Sequence, residues 1–269
     1  MRRSRVTKPA AYFVGLFLLA AILVPLPYIV LEPGGGRDVL GSVIKISQQK
    51  TYPTTGKLLL TTVLVTSPSS MIFGSQVLAS WLSANAVVFP RNFMYPSDSS
   101  PKESDAANVA EMVGSQQSAT AAALTYLKFR VTQQSVSTTA GVKVTKYVFP
   151  FPITISLKDT GGPSGGLIFA LGIIEKLTPE DLLKDRVVAG TGTIDVAGHI
   201  GAIGGIDDKI MGAKRAGATV FLAPAENCSD VTRIPSGITV YSVKTLAEAV
   251  GVLKDSKNAL PHCTWQRNR

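Results

Sequence analysis

The sequence predicts an α+β fold that follows a single N-terminal hydrophobic helix, and three observations indicate this class. Residues 10–31 carry no charged side chain. Segments rich in β-branched and aromatic residues, such as 147–157, are followed by apolar helix-like segments, such as 167–177. Glycine-rich loops at 161–166 and 204–205 each precede a predicted helix. Strands that alternate with helices in this way are typical of α/β and α+β folds.

The first 32 residues have the composition of a membrane anchor. Basic residues precede the apolar stretch, without any acid, at Arg2, Arg3, Arg5 and Lys8. The uncharged stretch 10–31 is longer than the roughly 20 residues that a transmembrane helix needs. Because basic flanks favour the cytoplasmic side, we expect a cytoplasmic N-terminus and an exported remainder of the chain. A cleaved signal peptide is the alternative, but no Ala-x-Ala cleavage site follows the apolar stretch.

The formal net charge is +9, and its distribution limits the partners. Four of the basic residues lie beside the predicted anchor, where anionic lipids attract them. The other basic residues are scattered, and no aromatic-interleaved basic stripe suggests nucleic acid. We therefore expect contact with membrane lipid through residues 10–31 and no nucleic-acid partner.

Residues 33–142 are predicted to form an exported N-terminal α/β region. Two β-branched and apolar segments, 39–47 and 57–66, predict a hairpin. Trp81 and Phe89 indicate a further packed segment.

A long helix is predicted to close this region. Ser100, Pro101 and Glu103 form a capping box with proline at the first helical position. The Ala-rich helix should extend to about Leu127. Its expected buried residues are Val109, Met112, Val113, Leu124 and Leu127.

Ser164 is the first candidate for a chemical role. It stands in Gly162-Pro163-Ser164-Gly165 between a predicted strand and a predicted helix. Glycines allow backbone angles that other residues avoid and let a second chain approach the loop. Backbone N–H groups at the helix start can stabilise a negative charge on a bound carbonyl oxygen. The simpler interpretation is that Ser164 only caps the helix.

Lys209 is the second candidate, at the start of the predicted helix after Gly204-Gly205. An apolar stripe of Ile206, Ile210 and Ala213 has Lys209 at one edge and Lys214 at the other. Lysine is disfavoured in a first helical turn, where the helix dipole opposes its charge. Because the neighbouring stripe also desolvates it in part, we expect a lowered pKa for Lys209, although taken alone it could also be a solvated surface residue.

Only two histidines, His199 and His262, are present as candidates for the usual base of a serine nucleophile. His199 falls in a predicted hairpin turn and His262 in the C-terminal tail. Neither has triad-like neighbours in the sequence. A Ser/Lys pair remains the arrangement that the composition allows.

The chain resembles the proteolytic domain of Lon peptidases. The resemblance rests on Gly162-Pro163-Ser164-Gly165-Gly166, on 191–194, on 203–209 and on 213–224. It implies a Lon-type proteolytic domain at 143–256, followed by a tail at 257–269. It also implies a Ser164 nucleophile, a Lys209 base and a supporting Thr191, with Gly162, Pro163 and Gly165 around the serine. Where this family typically has Ala-Gly after the serine, this chain has Gly165-Gly166.

The N-terminal half is similar to membrane-anchored, PDZ-containing Lon-like proteases of Gram-positive bacteria. Only some twenty residues separate Phe129 from Phe149, too few for the ~50 residues of a small domain, so a PDZ module is expected to be missing. The sequence lacks Gly-x-x-x-x-Gly-Lys-Ser/Thr, which predicts ATP-independent cleavage of protein or peptide substrates. A homo-oligomer, with a hexamer as the first candidate, is implied by resemblance alone. No cofactor is expected.

Cys228 and Cys263 are the two cysteines. In an exported chain they are expected to form a disulfide. No His or Cys partner stands at ligand spacing, so no metal is expected.

Two other function classes remain open at this point. A glycine loop at a helix start can also cradle phosphate, as in a kinase-like domain. The exported region could instead be a non-catalytic scaffold that binds partners.

Overall fold

The computed structural model describes residues 8–67, 70–83, 86–93, 101–137, 143–157, 160–255 and 261–264. The chain forms two compact units. The first comprises Met1–Pro33 and Leu64–Ser104, and the second comprises Gly34–Val63 and Asp105–Arg269. The boundary expected from the sequence between residues 142 and 143 falls within the second unit.

The elements follow one another as an α+β fold. The α-helices among the described residues are α1 (Lys8–Leu23), α2 (Gly74–Leu82), α3 (Pro101–Tyr126), α4 (Gly166–Leu177), α5 (Ile206–Arg215) and α6 (Leu246–Lys254). The strands are β1 (Pro25–Leu26), β2 (Tyr28–Asp38), β3 (Ile44–Ile46), β4 (Lys57–Val65), β5 (Ile72–Phe73), β6 (Val87–Pro90), β7 (Thr132–Ser137), β8 (Lys143–Val148), β9 (Ile153–Ile155), β10 (Val187–Gly190), β11 (Thr193–Ile194), β12 (Ile200–Gly201), β13 (Val220–Pro224) and β14 (Thr239–Val243).

The N-terminal helix is shorter than the uncharged stretch that predicts it. Helix α1 ends at Leu23, and the uncharged residues after it enter β1 and β2. Pro25 and Pro27 explain this end, because proline lacks the N–H that a helix interior requires. The helix therefore covers only part of residues 10–31, and the membrane span expected there stays a prediction. None of the helices that the structure describes has both the length and the hydropathy for a membrane span.

The first unit has a small apolar core of its own. Strand β2 pairs antiparallel with β6, and Val30, Ile72 and Val77 form the buried cluster. Phe89 takes part in this pairing opposite Ile29. Trp81 does not pack as predicted, because 70% of it is exposed.

The second unit is built on a sheet in the order β14-β13-β10-β4-β2. The neighbouring pairs β4–β10, β10–β13 and β13–β14 are parallel. The hairpin predicted from 39–47 and 57–66 is wrong, because β3 pairs with β9 and β4 pairs with β10. Leu58, Leu59 and Leu60 are all buried, as expected for a strand that is covered on both faces.

Side-chain alternation along these strands divides the core between the two faces of the sheet. Leu58, Leu60 and Leu222 belong to the cluster that includes α4 and α6. Leu59 and Phe221 belong to the cluster that includes α5. Because successive strand residues point to opposite faces, the sheet supports α4 and α5 from its two sides.

Helix α3 forms where the capping signal predicts it, although Ser100 lies outside the described residues. Met112 and Leu124 are buried as expected. Val109 and Val113 are 60% and 47% exposed, so the predicted buried face is wrong at these two positions. After α3, strands β7 and β8 pair as an antiparallel hairpin in the segment between Phe129 and Phe149.

Glu175 is a buried acid near the end of α4. It is only 2% exposed, and its Oε2 accepts a hydrogen bond from the Leu182 N–H at 3.2 Å. Burial, above all other influences, raises the pKa of Glu175 to about 7. The carboxyl group is therefore substantially protonated in the folded protein at neutral pH.

Candidate active site

Ser164 lies in the loop that connects β9 to α4. The loop is attached to α3 by two hydrogen bonds: the Gly162 N–H donates to the Asn108 carbonyl at 3.0 Å, and the Ser115 hydroxyl donates to the Pro163 carbonyl at 2.8 Å. Ser164 itself is half-buried. Its backbone is thus held while its side chain remains partly open to solvent.

The N-cap of α4 is Gly165, and no side chain caps this helix end. Ser164 therefore precedes the cap, and its hydroxyl is not used for capping. This excludes the simpler interpretation of the serine that the sequence left open.

The glycines around Ser164 have different reasons to be there. Gly162 has a φ of 84°, in the region that favours glycine. Gly165 has an ordinary φ of −86°, but a Cβ there would lie 2.9 Å from the Phe169 ring. Gly166 is equally tight against Ile194, at 2.8 Å. The Gly165-Gly166 pair is therefore explained by close packing of the loop and not by unusual backbone angles.

Lys209 lies in the first turn of α5, which begins after Gly205 in the left-handed conformation. The side chain is 4% exposed, so it is a buried residue and not a solvated one. Its Nζ donates a hydrogen bond to the Thr191 Oγ1 at 3.2 Å. Among the described residues no acid forms a salt bridge with it.

Desolvation lowers the pKa of Lys209 to about 8. Burial disfavours the charged ammonium, and a hydroxyl neighbour does not replace the lost hydration. The pKa of Lys209 is lowered, as expected from the sequence. Burial is the cause of the shift, whereas the sequence analysis also invoked the helix dipole. A lysine of this kind holds a substantial neutral fraction near physiological pH and can accept a proton.

Thr191 connects the two candidate residues. It is fully buried at the end of β10, and its N–H donates to the Leu222 carbonyl at 3.1 Å. Its hydroxyl accepts from Lys209 and donates to the Ser164 carbonyl oxygen at 3.1 Å. A second donor, the Gly192 N–H, reaches the same carbonyl at 2.8 Å. The structure therefore brings Ser164, Thr191 and Lys209 into one hydrogen-bonded group.

Within the described residues, no hydrogen bond joins the Ser164 hydroxyl directly to the Lys209 amine. Such catalytic bonds are often long in the absence of substrate and shorten only in the productive complex.

The other basic candidates are engaged elsewhere. Lys214, which periodicity could not separate from Lys209, donates to the Gly237 carbonyl at 3.0 Å. His199 contacts Asp195 through its Nδ1 at 2.8 Å, and 70% of its side chain is exposed. His262 packs edge-on against the Tyr241 ring. None of these contacts involves the Ser164 loop.

Ser115 and Asn108 are the site residues that the sequence analysis missed. Both lie on α3, about 50 residues before the loop that they contact. Ser115 is only 7% exposed, which is unusual for a serine on a helix. A polar residue on the buried face of an Ala-rich helix was the one available signal.

Away from this site, Cys228 and Cys263 form a disulfide that closes a separation of 35 residues. The described residues include no group of three or more His, Cys, Asp or Glu side chains suited to a metal ion.

A buried lysine lies beside a serine loop, with a threonine between them, and this arrangement is compatible with hydrolase chemistry. Comparison with known proteins places the chain in a family. Residues 106–255 match the Lon protease (S16) C-terminal proteolytic domain. This match covers more than half of the chain, and the chain therefore belongs to that family of serine-type peptidase domains.

Several curated relatives are similar to about a third of the chain. Lon protease 2 of Herpetosiphon aurantiacus is 40% identical over 95 residues, which are 34% of this chain and 11% of that protein. Lon protease 1 of Sorangium cellulosum is 38% identical over 93 residues, or 33% of this chain and 11% of that protein. The Lon protease of Haemophilus influenzae is 34% identical over 94 residues, or 34% and 12%. The chain thus matches about a tenth of the length of these relatives.

Proposed function

We propose that this protein is a membrane-attached serine endopeptidase with a Ser164/Lys209 dyad. One observation carries the proposal. The buried Lys209 amine donates a hydrogen bond to the Thr191 hydroxyl, and that hydroxyl donates a hydrogen bond to the backbone carbonyl of Ser164. The pKa of about 8 leaves enough neutral amine to act as a base. Family membership supports the same reaction.

In the proposed mechanism, the neutral Lys209 amine takes the proton of the Ser164 hydroxyl as the serine oxygen attacks the carbonyl carbon of a peptide bond. Backbone N–H groups of the loop around Ser164 stabilise the resulting oxyanion, because the Gly166 and Leu167 N–H groups at the start of α4 already donate to the Pro163 and Gly192 carbonyls. The ammonium then gives its proton to the leaving amine, and an acyl-enzyme forms. The amine next takes a proton from water as the water oxygen attacks the ester. The ammonium then returns that proton to the Ser164 oxygen as the ester bond breaks and the acid product leaves.

Thr191 is a positioning residue in this proposal. Its hydroxyl has one hydrogen to donate, and it donates it to the Ser164 carbonyl, so its lone pairs face the lysine. The lysine therefore reaches Thr191 as a donor, and its nitrogen lone pair remains available in another direction.

Labelling by a serine-directed phosphonate, read by intact mass, tests the dyad. We expect one adduct on the full chain, lost in Ser164→Ala and in Lys209→Arg. The arginine variant keeps the positive charge but cannot give up its proton at usable pH. Lys214→Arg on the same helix is the matched control and should label normally. Full labelling and cleavage in Lys209→Arg would contradict the base assignment, whereas a wild type that neither labels nor cleaves would favour the non-catalytic scaffold.

We further propose that cleavage needs no ATP and acts on flexible or unfolded protein segments. The present sequence has no Gly-x-x-x-x-Gly-Lys-Ser/Thr motif. The sequence analysis expects no PDZ module between Phe129 and Phe149. In the structure this segment contains β7 and β8, which pair with each other. Cleavage of an unfolded protein at equal rates with and without ATP is the expected result. A rate that depends on ATP would oppose it.

The proposed location is the outer face of the cell membrane, with the N-terminus in the cytoplasm and attachment through residues 10–31. The basic N-terminal arm and the following uncharged stretch support it. The Cys228–Cys263 disulfide also favours an oxidising compartment. Labelling of intact cells with a membrane-impermeant amine reagent tests this: peptides of the second unit should react. Labelling only after lysis would contradict it.

A homo-oligomer, with a hexamer as the first candidate, completes the proposal. Native mass spectrometry of the detergent-solubilised full chain gives the stoichiometry directly, and a monomer at working concentration would oppose it.

A further inference from the structure

Helix α2 of the first unit presents large apolar side chains to solvent. Leu78, Trp81 and Leu82 are 51%, 70% and 81% exposed. They follow the i, i+3, i+4 spacing of a single helical face. The other face, with Val77 and Ser80, is buried. An apolar face this exposed on a helix with a buried second face indicates contact with something outside the chain.

The residues before α2 extend this surface. Met71 and Phe73 are 70% and 39% exposed. We call Met71, Phe73, Leu78, Trp81 and Leu82 together the α2 patch. No Asp, Glu, Lys or Arg occurs in the sequence from residue 58 to residue 90. The stretch therefore contributes no charged residue to the rim that a protein-binding surface normally carries.

The α2 patch is tied to the end of α1. Strands β1 and β5 pair, with Pro25 opposite Phe73 and Leu26 opposite Ile72. Gly74, the first residue of α2, lies so close to the backbone of Ala21 that a Cβ would collide with it. Helix α1 itself has no buried residue. The α2 patch and the exposed apolar α1 therefore belong to neighbouring elements of one unit.

The length of α1 determines where this surface lies if α1 enters a bilayer. Its 16 residues span about 24 Å, whereas the hydrocarbon core is about 30 Å thick. The uncharged residues that follow α1 must then make up the difference, and they are the residues paired with β5. This places α2 at the boundary between hydrocarbon and headgroups, which is the position that tryptophan favours.

We propose that the α2 patch is a second membrane-contacting element, lying in the outer interface of the bilayer with Trp81 at headgroup level. The inference rests on the membrane attachment proposed above. It adds a second lipid contact, which attachment through an anchor helix alone would not require. Its consequence is that the first unit is held against the lipid by two elements instead of one flexible attachment.

Depth-dependent quenching of Trp81 tests this proposal on the full chain. The sequence has two tryptophans, so Trp265→Phe leaves Trp81 as the only one. The variant is reconstituted into phosphatidylcholine vesicles whose acyl chains are brominated either near the headgroup or near the chain end. We expect blue-shifted emission and strong quenching by the shallow bromines, with weaker quenching by the deep ones. The difference between wild type and Trp81→Phe provides the same signal without altering Trp265.

The matched control moves the tryptophan to the second unit. Tyr126 at the end of α3 is 39% exposed. The tryptophan introduced by Tyr126→Trp, in a Trp81→Phe, Trp265→Phe background, should be quenched several-fold less than Trp81. Vesicle flotation of each variant reports attachment separately from quenching, and phosphonate labelling of the same samples reports the dyad.

Each failure has its own signature. Flotation with Trp81 quenched no more than the tryptophan of the control variant overturns the α2 inference and leaves the anchor standing. Blue-shifted emission without quenching also overturns it, because a second copy of the chain would then cover the patch. Loss of flotation overturns both the attachment and the α2 inference, while labelling of Ser164 would still support the peptidase.

Discussion

Replacing Lys209 with methionine should stabilise the protein at neutral pH while abolishing cleavage. The lysine is 4% exposed, and its pKa falls from 10.5 to about 8 through burial. At about 1.4 kcal/mol per pH unit, this drop corresponds to roughly 3 kcal/mol of destabilisation at pH 7. Methionine has a similar length and no charge to desolvate, so it should fill the site without that cost.

The pH dependence separates this effect from ordinary changes in packing. Because the pKa of Lys209 is higher in the unfolded chain, the unfolded state binds more protons between pH 8 and pH 10.5. The wild type should therefore gain about 2 to 3 kcal/mol relative to Lys209→Met as the pH rises from 7 to 10. Chemical denaturation followed by circular dichroism in detergent micelles measures the difference at each pH.

Lys214→Met is the control, because this lysine is on the same helix and is engaged with the Gly237 carbonyl. Its stability relative to wild type should change by less than about 1 kcal/mol over the same pH range, as for a surface substitution. A stability difference between wild type and Lys209→Met that stays constant from pH 7 to pH 10 would show that burial does not lower the pKa of Lys209. It would also remove the reason for assigning Lys209 as the base.

Three further predictions concern other residues. The double variant Cys228→Ser, Cys263→Ser should lose about 3 to 4 kcal/mol of unfolding free energy, from the loop of 35 residues that the disulfide closes, and an unchanged denaturation midpoint would contradict this. Ser115→Ala removes the hydrogen bond to the Pro163 carbonyl. Because this bond positions the Ser164 loop, kcat should fall about 10- to 100-fold at unchanged KM and melting temperature. Equal loss of stability and activity would indicate a structural role only. Glu175→Gln should remove one pH-dependent contribution to stability. Because its pKa is raised, Glu175 makes the folded chain bind more protons than the unfolded chain between pH 4.5 and about 7, so the wild type should lose stability relative to Glu175→Gln as the pH rises through this window. A difference that stays constant there would oppose the prediction.

Local patterns in the sequence were sufficient for much of the fold and for the choice of candidate site residues. The apolar run before Thr178 predicted α4, and the capping signal at Pro101 predicted α3. Glycine loops before two helices indicated Ser164 and Lys209. These features depend on neighbours within one or two helical turns, so a linear reading can recover them.

Pairing between distant strands was not recoverable in the same way. Strand β4 has the composition of a hairpin strand, yet it pairs in parallel with β10, about 130 residues away. The choice depends on which faces of the sheet are covered, and that information is spread over α4, α5 and the strands between them. The exposure of Trp81 was missed for a related reason, because a large aromatic residue predicts burial only when something in the chain is available to cover it.

The sequence by itself determined the residue types that can perform the chemistry, a serine after a glycine turn and a lysine at a helix start, because these signals are local. Only the tertiary structure decided that the lysine is buried, that Thr191 lies between it and the Ser164 backbone, and that Ser115 of α3 holds the loop. Burial and hydrogen bonding set the pKa of an amine, and both arise from segments that meet only when the sheet and its helices assemble.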